Sequence, residues 1–315
     1  MPTLQLHAHV QADAVGELAD GVRAIPHAIS AGVRRAAVGL GARWPADLVH
    51  GLDVDLPLAP GAPTVTTVHD LSVYDAPWAH SRLRGSGERM LVRHALHRAD
   101  AVIAVSAFTA ERVATRFQRE VTVTSLAPRR DLAPASPEQL AEVRRRYRLP
   151  ERHVLQVGSV EPRKEVELLA GACRELGVPL VLAGVVHPDC SVPSSARHLG
   201  YVPEADLPAL YGAATVVAYC SRYEGFGLPP VEALACGAPV IASRVGALPE
   251  VLGTAAVLVP PTDHDALVAG LRELLADDDR RGELGRSGLT HAAGMSWANT
   301  AQATLGVYRN LGVAC

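Results

Sequence analysis

The sequence predicts an α/β chain built on parallel sheets and divided into two domains. Short apolar runs of four to six residues, each bounded by turn residues, recur along it and alternate with stretches whose apolar residues fall at helical spacing. Such alternation puts buried strands in a sheet and helices in the crossovers between them. At 315 residues the chain is also longer than one average domain, for which roughly 150 residues is the usual allowance. Residues 127–153, APRRDLAPASPEQLAEVRRRYRLPERH, interrupt the alternation with a Pro-rich polar segment and then a basic amphipathic helix ending at Pro150. That composition reads as an interdomain linker over 127–150, with a first domain over 1–126 and a second over 151–295.

In the first domain Thr64–Val68, Ala101–Val105 and Val121–Leu126 read as strands, and Arg89–Ala99 and Ala107–Phe117 as helices. Val154–Val157, Leu180–Ala183, Thr215–Ala218, Pro239–Ala242 and Ala256–Val259 continue the strand series in the second. Helical spacing recurs there at Val166–Leu176, Ala205–Ala213, Pro230–Cys236 and Asp265–Ala276. A last helix follows Ser296, a suitable N-cap, with Trp297, Ala301, Leu305 and Tyr308 on one face. It is expected to cross back to the first domain as a separate unit over 296–315. No internal repeat or low-complexity segment stands out.

Composition narrows the function classes. Hydrophobic residues at 48% and charged residues at 20% are ordinary for a globular protein. The formal charge of -3 gives no global basic excess of the kind that nucleic acid selects, so any anion site must be local. Cys173, Cys190, Cys220, Cys236 and Cys315 are odd in number and form no C-x-x-C pair, which argues against a disulfide framework or a zinc knuckle. The start, MPTLQLHAHVQADAV, lacks a basic segment followed by an apolar run, and no uncharged apolar stretch reaches the ~18 residues of a spanning helix. The expected location is cytoplasmic, with peripheral contact at the inner membrane face as the remaining membrane option.

Two motifs carry chemistry. In VLQVGSVEPRKEVELL, a strand runs into Gly158 and Ser159, and Arg163 and Lys164 then stand at a helix start. Orphan amides and the helix dipole there favour an anion such as a phosphate, although an ordinary solvated turn is the competing reading. The motif is neither G-x-x-x-x-G-K-[ST] nor G-x-G-x-x-G, which weakens nucleotide triphosphatase and dinucleotide readings.

In EGFGLPPVE, Glu224 and Glu232 bracket a loop over Gly225, Phe226, Gly227 and Leu228, and Pro229 and Pro230 suit a first helical turn that Gly237 closes. Both acids can border one crevice at the carboxyl edge of a parallel sheet. The competing reading makes Glu232 a helix-dipole partner and Glu224 a turn acid.

VGSVEPRKEVELL, then LGYVPEADLPALYGAATVVAYCSRYEGFGLPPVEALACGAPVIASRVGALPEV, then SWANTAQATLGVYRNL resemble, in order and spacing, the retaining GT-B glycosyltransferases of family four. The likeness covers residues 64–311, and its E-x7-E motif is specific. It implies two Rossmann-like domains facing a cleft and transfer of a hexose, with mannose weakly indicated by the P-R-K sequence, from a nucleoside-diphosphate sugar to an acceptor hydroxyl. By resemblance, Glu224 contacts the transferred sugar, the amides of Gly225–Leu228 hold sugar and phosphate, Glu232 binds the ribose, and the backbone near Tyr201 and Val202 meets the base. Lys164 matches the family's diphosphate lysine. Arg163 looks like a replacement for the arginine that often follows the glycine, where this chain has Ser159.

Alone, a strand-end histidine such as His69 of TVTTVHDLSVY is more often structural, but the resemblance places it across the cleft beside the donor sugar. Ser106 reads as an N-cap. Asp53 and Asp55 form a D-x-D that resembles the metal site of another fold and is taken as incidental. No metal and no cofactor other than the donor substrate is expected. Partners are the donor and a carbohydrate, lipid-linked or small-molecule acceptor. Arg82, Arg84, Arg89, Arg93 and Arg98, with His94 and His97, read first as a solvated basic face, and second as a surface for acidic lipid or an anionic acceptor.

Family members usually open with a strand, a glycine-rich loop and a helix before the region matching LQLHAHV, so the amino-terminal domain reads as shortened. A misplaced start codon, an enzyme with a reduced acceptor domain, and a catalytically silent nucleotide-sugar sensor or partner subunit all fit that reading.

Overall fold

The computed structural model describes residues 4–11, 15–16, 18–27, 46–58 and 60–314. Strands β1 (Leu6–Gln11) and β2 (Val22–His27) pair in parallel. A separate four-stranded parallel sheet contains β3 (Val49–Gly51), β4 (Thr64–Val68), β5 (Ala101–Ala104) and β6 (Thr122–Val123) in that order. The other half holds a six-stranded sheet made of β7 (Val154–Val157), β8 (Leu180–Ala183), β9 (Ala196–His198), β10 (Val216–Tyr219), β11 (Val240–Ser243) and β12 (Val257–Val259). Its order is β12-β11-β10-β7-β8-β9, all parallel. This is the α/β architecture expected from the alternation.

Alternation of side chains along a strand explains why the six-stranded sheet needs helices on both faces. Leu155, Val181, Val217 and Val240 enter one buried cluster, together with Val231 and Leu234 of the helix Leu228–Ala235. Their neighbours Val154, Leu180, Val216 and Ile241 enter a second, with Leu169 and Leu271 from the helices Val166–Glu175 and His264–Ala276. The first half has one comparable cluster, in which Val68 and Val102 meet Val92 and Leu96 of the helix Arg82–Arg98 and Val113 of the helix Ala107–Phe117.

Residues 127–150 are more than a tether. Pro137–Arg146 is helical and opens on a reciprocal capping box between Ser136 and Gln139. Leu132, Val143 and Leu149 of this stretch are buried in the first cluster of the second half. The last helix, Trp297–Asn310, is capped by Ser296, which accepts from the Asn299 amide at 3.1 Å. Trp297 Nε1 donates to the Pro128 carbonyl at 3.0 Å, Thr300 Oγ1 donates to Ser125 O at 2.6 Å, and Val307 packs with Val65 and Ile103 of the first sheet.

Several elements depart from the sequence pattern. The strand expected over Val121–Leu126 shortens to the exposed pair Thr122–Val123 at a sheet edge, where among the described residues β5 alone pairs with it. The helix expected from Arg89 begins at Arg82, because Gly85, Ser86 and Gly87 hide its first turns from propensity. Asp278–Ala293 is a helix without an obvious apolar stripe. Its buried face joins Leu284 and Ala292 with two glycines that allow close approach: a Cβ on Gly285 would lie 2.5 Å from Gly237 O, and one on Gly288 would lie 2.9 Å from Leu234 Cδ2.

The basic face on Arg82–Arg98 is only partly solvated, since Arg89 donates to Val73 O at 3.2 Å and Arg98 to Leu58 O at 2.9 Å. The Arg84 side chain lies outside the described residues. Among the described residues no helix is long and apolar enough to cross a membrane.

Candidate active site

Beyond the carboxyl end of β7, Gly158 adopts φ +128 and starts the turn that carries Arg163 and Lys164. The Lys164 amide donates to Glu161 O at 2.9 Å, closing that turn two residues before the helix Val166–Glu175. β10 is the next strand in the sheet, and the loop leaving it is stitched to the same turn. Ser221 Oγ and the Arg222 amide both donate to the Arg163 carbonyl, at 3.1 Å and 2.8 Å.

This stitching gathers the charges. Lys164 Nζ donates to Glu224 Oε1 and to Tyr219 Oη. Arg163 donates to Glu224 Oε1 at 2.8 Å and to the Tyr223 carbonyl at 3.1 Å, and it pairs with Glu161 at 2.9 Å. Lys164 and Glu224 are each only 5% exposed, so their attraction acts where water screens little. Burial pushes the Glu224 carboxyl up, but Lys164 and Arg163 together hold it below the usual carboxylate range. For Lys164, burial lowers the ammonium from its ordinary value while Glu224 opposes that shift. Burial also works against the Arg163 cation, and Glu224 and Glu161 more than reverse it.

The next residues bring in the other half. Gly225 lies against the corner after β4, and a Cβ there would sit 2.0 Å from the His69 carbonyl oxygen. His69 is exposed, and its Nε2–H donates to Leu52 O at 2.8 Å, which leaves Nδ1 as the ring's other polar atom. Ser106 caps its helix as expected, accepting from the Thr109 amide at 3.0 Å, and its hydroxyl also donates to the Gly225 carbonyl at 2.6 Å. Phe226 is 5% exposed and borders a cavity of about 470 Å³ between the halves, together with Ala107, Glu250 and His291. Gly227, at φ +93, is the residue before the helix Leu228–Ala235, whose first turn holds Pro229 and Pro230.

Glu232 belongs to a second polar centre. It is 9% exposed and accepts from Tyr211 Oη at 3.1 Å. Burial raises its pKa, with Tyr211 and Arg129 pulling the other way. Arg129, from the stretch read as a linker, pairs with Asp131 at 2.8 Å and with Glu204. Just before Glu204, Tyr201 is 71% exposed, whereas Val202 is buried in the core at 5%. Ser159 is half-buried beside Gly158.

The structure therefore brings His69, Arg163, Lys164, Glu224 and the 225–228 loop together, and places Glu232 one helical turn further on. Sequence reasoning missed Tyr211, Tyr219, Tyr223 and Arg129, because a single tyrosine on a helix, strand or loop and an arginine in a polar stretch carry no motif. Asp53 makes local bonds, its carboxylate accepting from the Val54 amide at 2.8 Å and its carbonyl from Thr66 Oγ1 at 3.1 Å. Among the described residues no group of three or more His, Cys, Asp or Glu is arranged to hold a metal ion.

Two parallel α/β halves thus meet at the carboxyl ends of their strands, with a cation–carboxylate cluster at the junction. Residues 141–290 match the profile of glycosyl transferases group 1, and residues 22–127 that of glycosyltransferase family 4. The chain is 35% identical over 267 residues to the O-antigen chain mannosyltransferase B of Escherichia coli, covering 78% of this chain and 70% of that one. The chain belongs to the group 1 glycosyl transferases.

Among solved structures, a sucrose-phosphate synthase from Thermosynechococcus elongatus superposes with a TM-score of 0.71 at 27% identity, covering 84% of this chain and 73% of the other. An Anabaena protein in complex with UDP and glucose has the same fold, at a TM-score of 0.71, 18% identity, and 93% and 86% coverage.

Proposed function

We propose that this chain transfers a hexose from a nucleoside-diphosphate sugar to an acceptor hydroxyl, with retention at the transferred carbon and without a metal ion. The observation that carries the reading is the convergence of Lys164 and Arg163 on Glu224, beside a glycine loop and against the His69 corner. In this assignment the ionised Glu224 accepts hydrogen bonds from hydroxyls of the transferred sugar. An ammonium has three N–H donors. Tyr219 and Glu224 take two of those on Lys164, and the third is assigned to a diphosphate oxygen.

Charge builds on the diphosphate as it departs, so preorganised cations and loop amides stabilise the transition state more than the ground state. Acceptor attack on the face that the phosphate leaves accounts for retention, and a donor phosphate oxygen can take the acceptor proton. Glu232 is assigned to the ribose, the backbone at Tyr201 and Val202 to the base, and His69 to a hydroxyl or carbonyl across the cleft. Mannose is the first donor sugar to test, on the strength of the mannosyltransferase relative. A carbohydrate, lipid-linked or small-molecule hydroxyl serves as acceptor.

A second reading, a nucleotide-sugar binder that no longer transfers, draws on the main sheet of the first half, which among the described residues has four strands against six. Incubating purified protein with a panel of nucleoside-diphosphate hexoses, with and without acceptors, separates the two. Release of nucleoside diphosphate with a glycosylated product supports transfer; binding of the same donors with no turnover supports the silent homologue. Loss of all turnover on chelation would exclude the metal-independent form.

A further inference from the structure

Glu224 is flanked on both sides by residues bonded to the other half of the chain. On its amino side, Tyr223 is 6% exposed. Its hydroxyl donates to Asp75 Oδ2 at 3.2 Å and accepts from the Leu71 amide at 3.2 Å. The Tyr223 ring meets Phe108 edge-on, with centroids 5.8 Å apart. On the carboxyl side, the Gly225 carbonyl accepts from both Ser106 Oγ at 2.6 Å and Thr109 Oγ1 at 3.2 Å. Ser106 and Thr109 are 2% and 0% exposed, so these bonds do not compete with water.

The receiving side is itself rigid. Arg112 grips Asp75 through two parallel bonds of 2.9 Å and 2.7 Å, and Arg116 lies 3.6 Å away; a bidentate pair of this kind fixes orientation as well as charge. Burial raises the Asp75 carboxyl and Arg112 more than offsets it, so Asp75 stays an acceptor for the Tyr223 hydroxyl.

These bonds are separate from the cluster that holds the two cations, whose partners all lie within residues 161–224. We propose that Tyr223, Ser106 and Thr109 are positioning residues: a clamp that registers Glu224 of the donor-side half against the His69 corner of the acceptor-side half. The proposal rests on the glycosyl-transfer reading. The clamp acts through Glu224.

Its signature is a separation of turnover from nucleotide affinity. Removing the Tyr223 and Ser106 hydroxyls breaks none of the bonds that Lys164, Arg163 and Glu232 make, whereas it loosens the alignment of donor and acceptor, and misplacement by about 1 Å can cost about 100-fold in rate. The informative variants are Tyr223→Phe, which keeps the ring against Phe108 and removes the hydroxyl, and its combination with Ser106→Gly, since glycine is a tolerated N-cap. Ser106→Thr keeps a hydroxyl and serves as the conservative control.

Three quantities are read on the full chain: kcat at saturating donor, affinity for free nucleoside diphosphate by calorimetry, and hydrogen exchange at the Leu71 amide. Tyr223→Phe is expected to lower kcat by about tenfold and the double variant by about 100-fold, with Leu71 exchange at least about tenfold faster and affinity within about twofold of the parent. Ser106→Thr is expected to retain most of the turnover.

Unchanged kcat, unchanged Leu71 exchange, or a parallel fall of kcat and nucleotide affinity would each overturn the clamp. Should the parent protein turn over no nucleotide sugar, the transferase reading fails, and Leu71 exchange alone still decides whether the Tyr223 hydroxyl joins the halves.

Discussion

In the second half β8, β10 and β11 are buried along their whole length, and the sheet feeds a separate apolar cluster on each face. Among the described residues of the first half only β4 is buried throughout, β6 is exposed at an edge, and one face of the main sheet is completed by Val307, Tyr308 and Leu311 from the last helix and the residue after it. The half that holds the charge cluster covers both faces of its sheet, with Leu132, Val143 and Leu149 of the 127–150 stretch adding to one of them, whereas the half that supplies the His69 corner takes cover for its main sheet from the last helix. Donor binding and acceptor alignment should therefore fail separately, and the following variants are chosen to part them.

The largest effect is expected from Lys164→Ala, which removes a cation from the diphosphate site and leaves Glu224 buried with Arg163 alone. Transfer should fall by at least ~100-fold, the scale for losing one preorganised charge-stabilising donor, with some loss of thermal stability because a buried carboxylate has lost a partner. Near-normal turnover by a well-folded variant rejects the assignment.

Acid should act next, through a histidine in each half whose pKa burial lowers. His50 bridges Tyr308 Oη on the last helix, at 2.6 Å, and Thr67 Oγ1 on β4, at 2.8 Å. Burial lowers its pKa from 6.5 to about 4, so the folded ring stays neutral through a range in which the unfolded ring takes a proton. The stability it contributes is complete above the unfolded value and is lost as pH falls from there towards the folded one, up to about 2 kcal/mol after allowing for residual solvent. His153, fully buried beside the start of β7, has its pKa lowered to about 4 in the same way, so hydrogen exchange followed between those limits should show the last helix and the β7 region both loosening. Loosening of only one of them would mean that the other histidine contributes nothing to acid sensitivity.

Glu232→Ala is expected to weaken nucleoside-diphosphate binding by about tenfold, the weight of one hydrogen bond to a charged group. Calorimetry against the free nucleotide checks this, and unchanged affinity removes Glu232 from the ribose role. Smallest is Ser136→Ala, which opens the capping box of the helix Pro137–Arg146 and should cost about 1 kcal/mol. Thermal denaturation should register it while leaving exchange at β4 unaltered, since Val143 of that helix belongs to the second-half core.

Strands of the second half were legible because residues buried on both faces read as unbroken apolar runs. The helix Asp278–Ala293 was not, because Gly285 and Gly288 produce its close contact by lacking side chains, and a pattern search looks for bulk. β9, with the sequence Ala196-Arg197-His198, is a half-buried edge and shows no apolar run at all. Glu224, Glu232, Arg163 and Lys164 were legible because their chemistry stands in two short motifs. Their tyrosine partners were not: Tyr219 meets Lys164 across 55 residues of chain, and Tyr223 meets Asp75 across 148.

By itself the sequence determined the parallel α/β architecture and the presence of an acid pair and a cation pair at strand ends, because periodicity, glycine turns and helix starts are local properties of neighbouring residues. Only the tertiary structure decided that both cations converge on Glu224, that the stretch 127–150 docks onto the second half, and that Ser106 reaches across to Gly225. Each of these depends on which strand ends are neighbours in a sheet and which carbonyls lack a partner, and those are set by the folded chain as a whole.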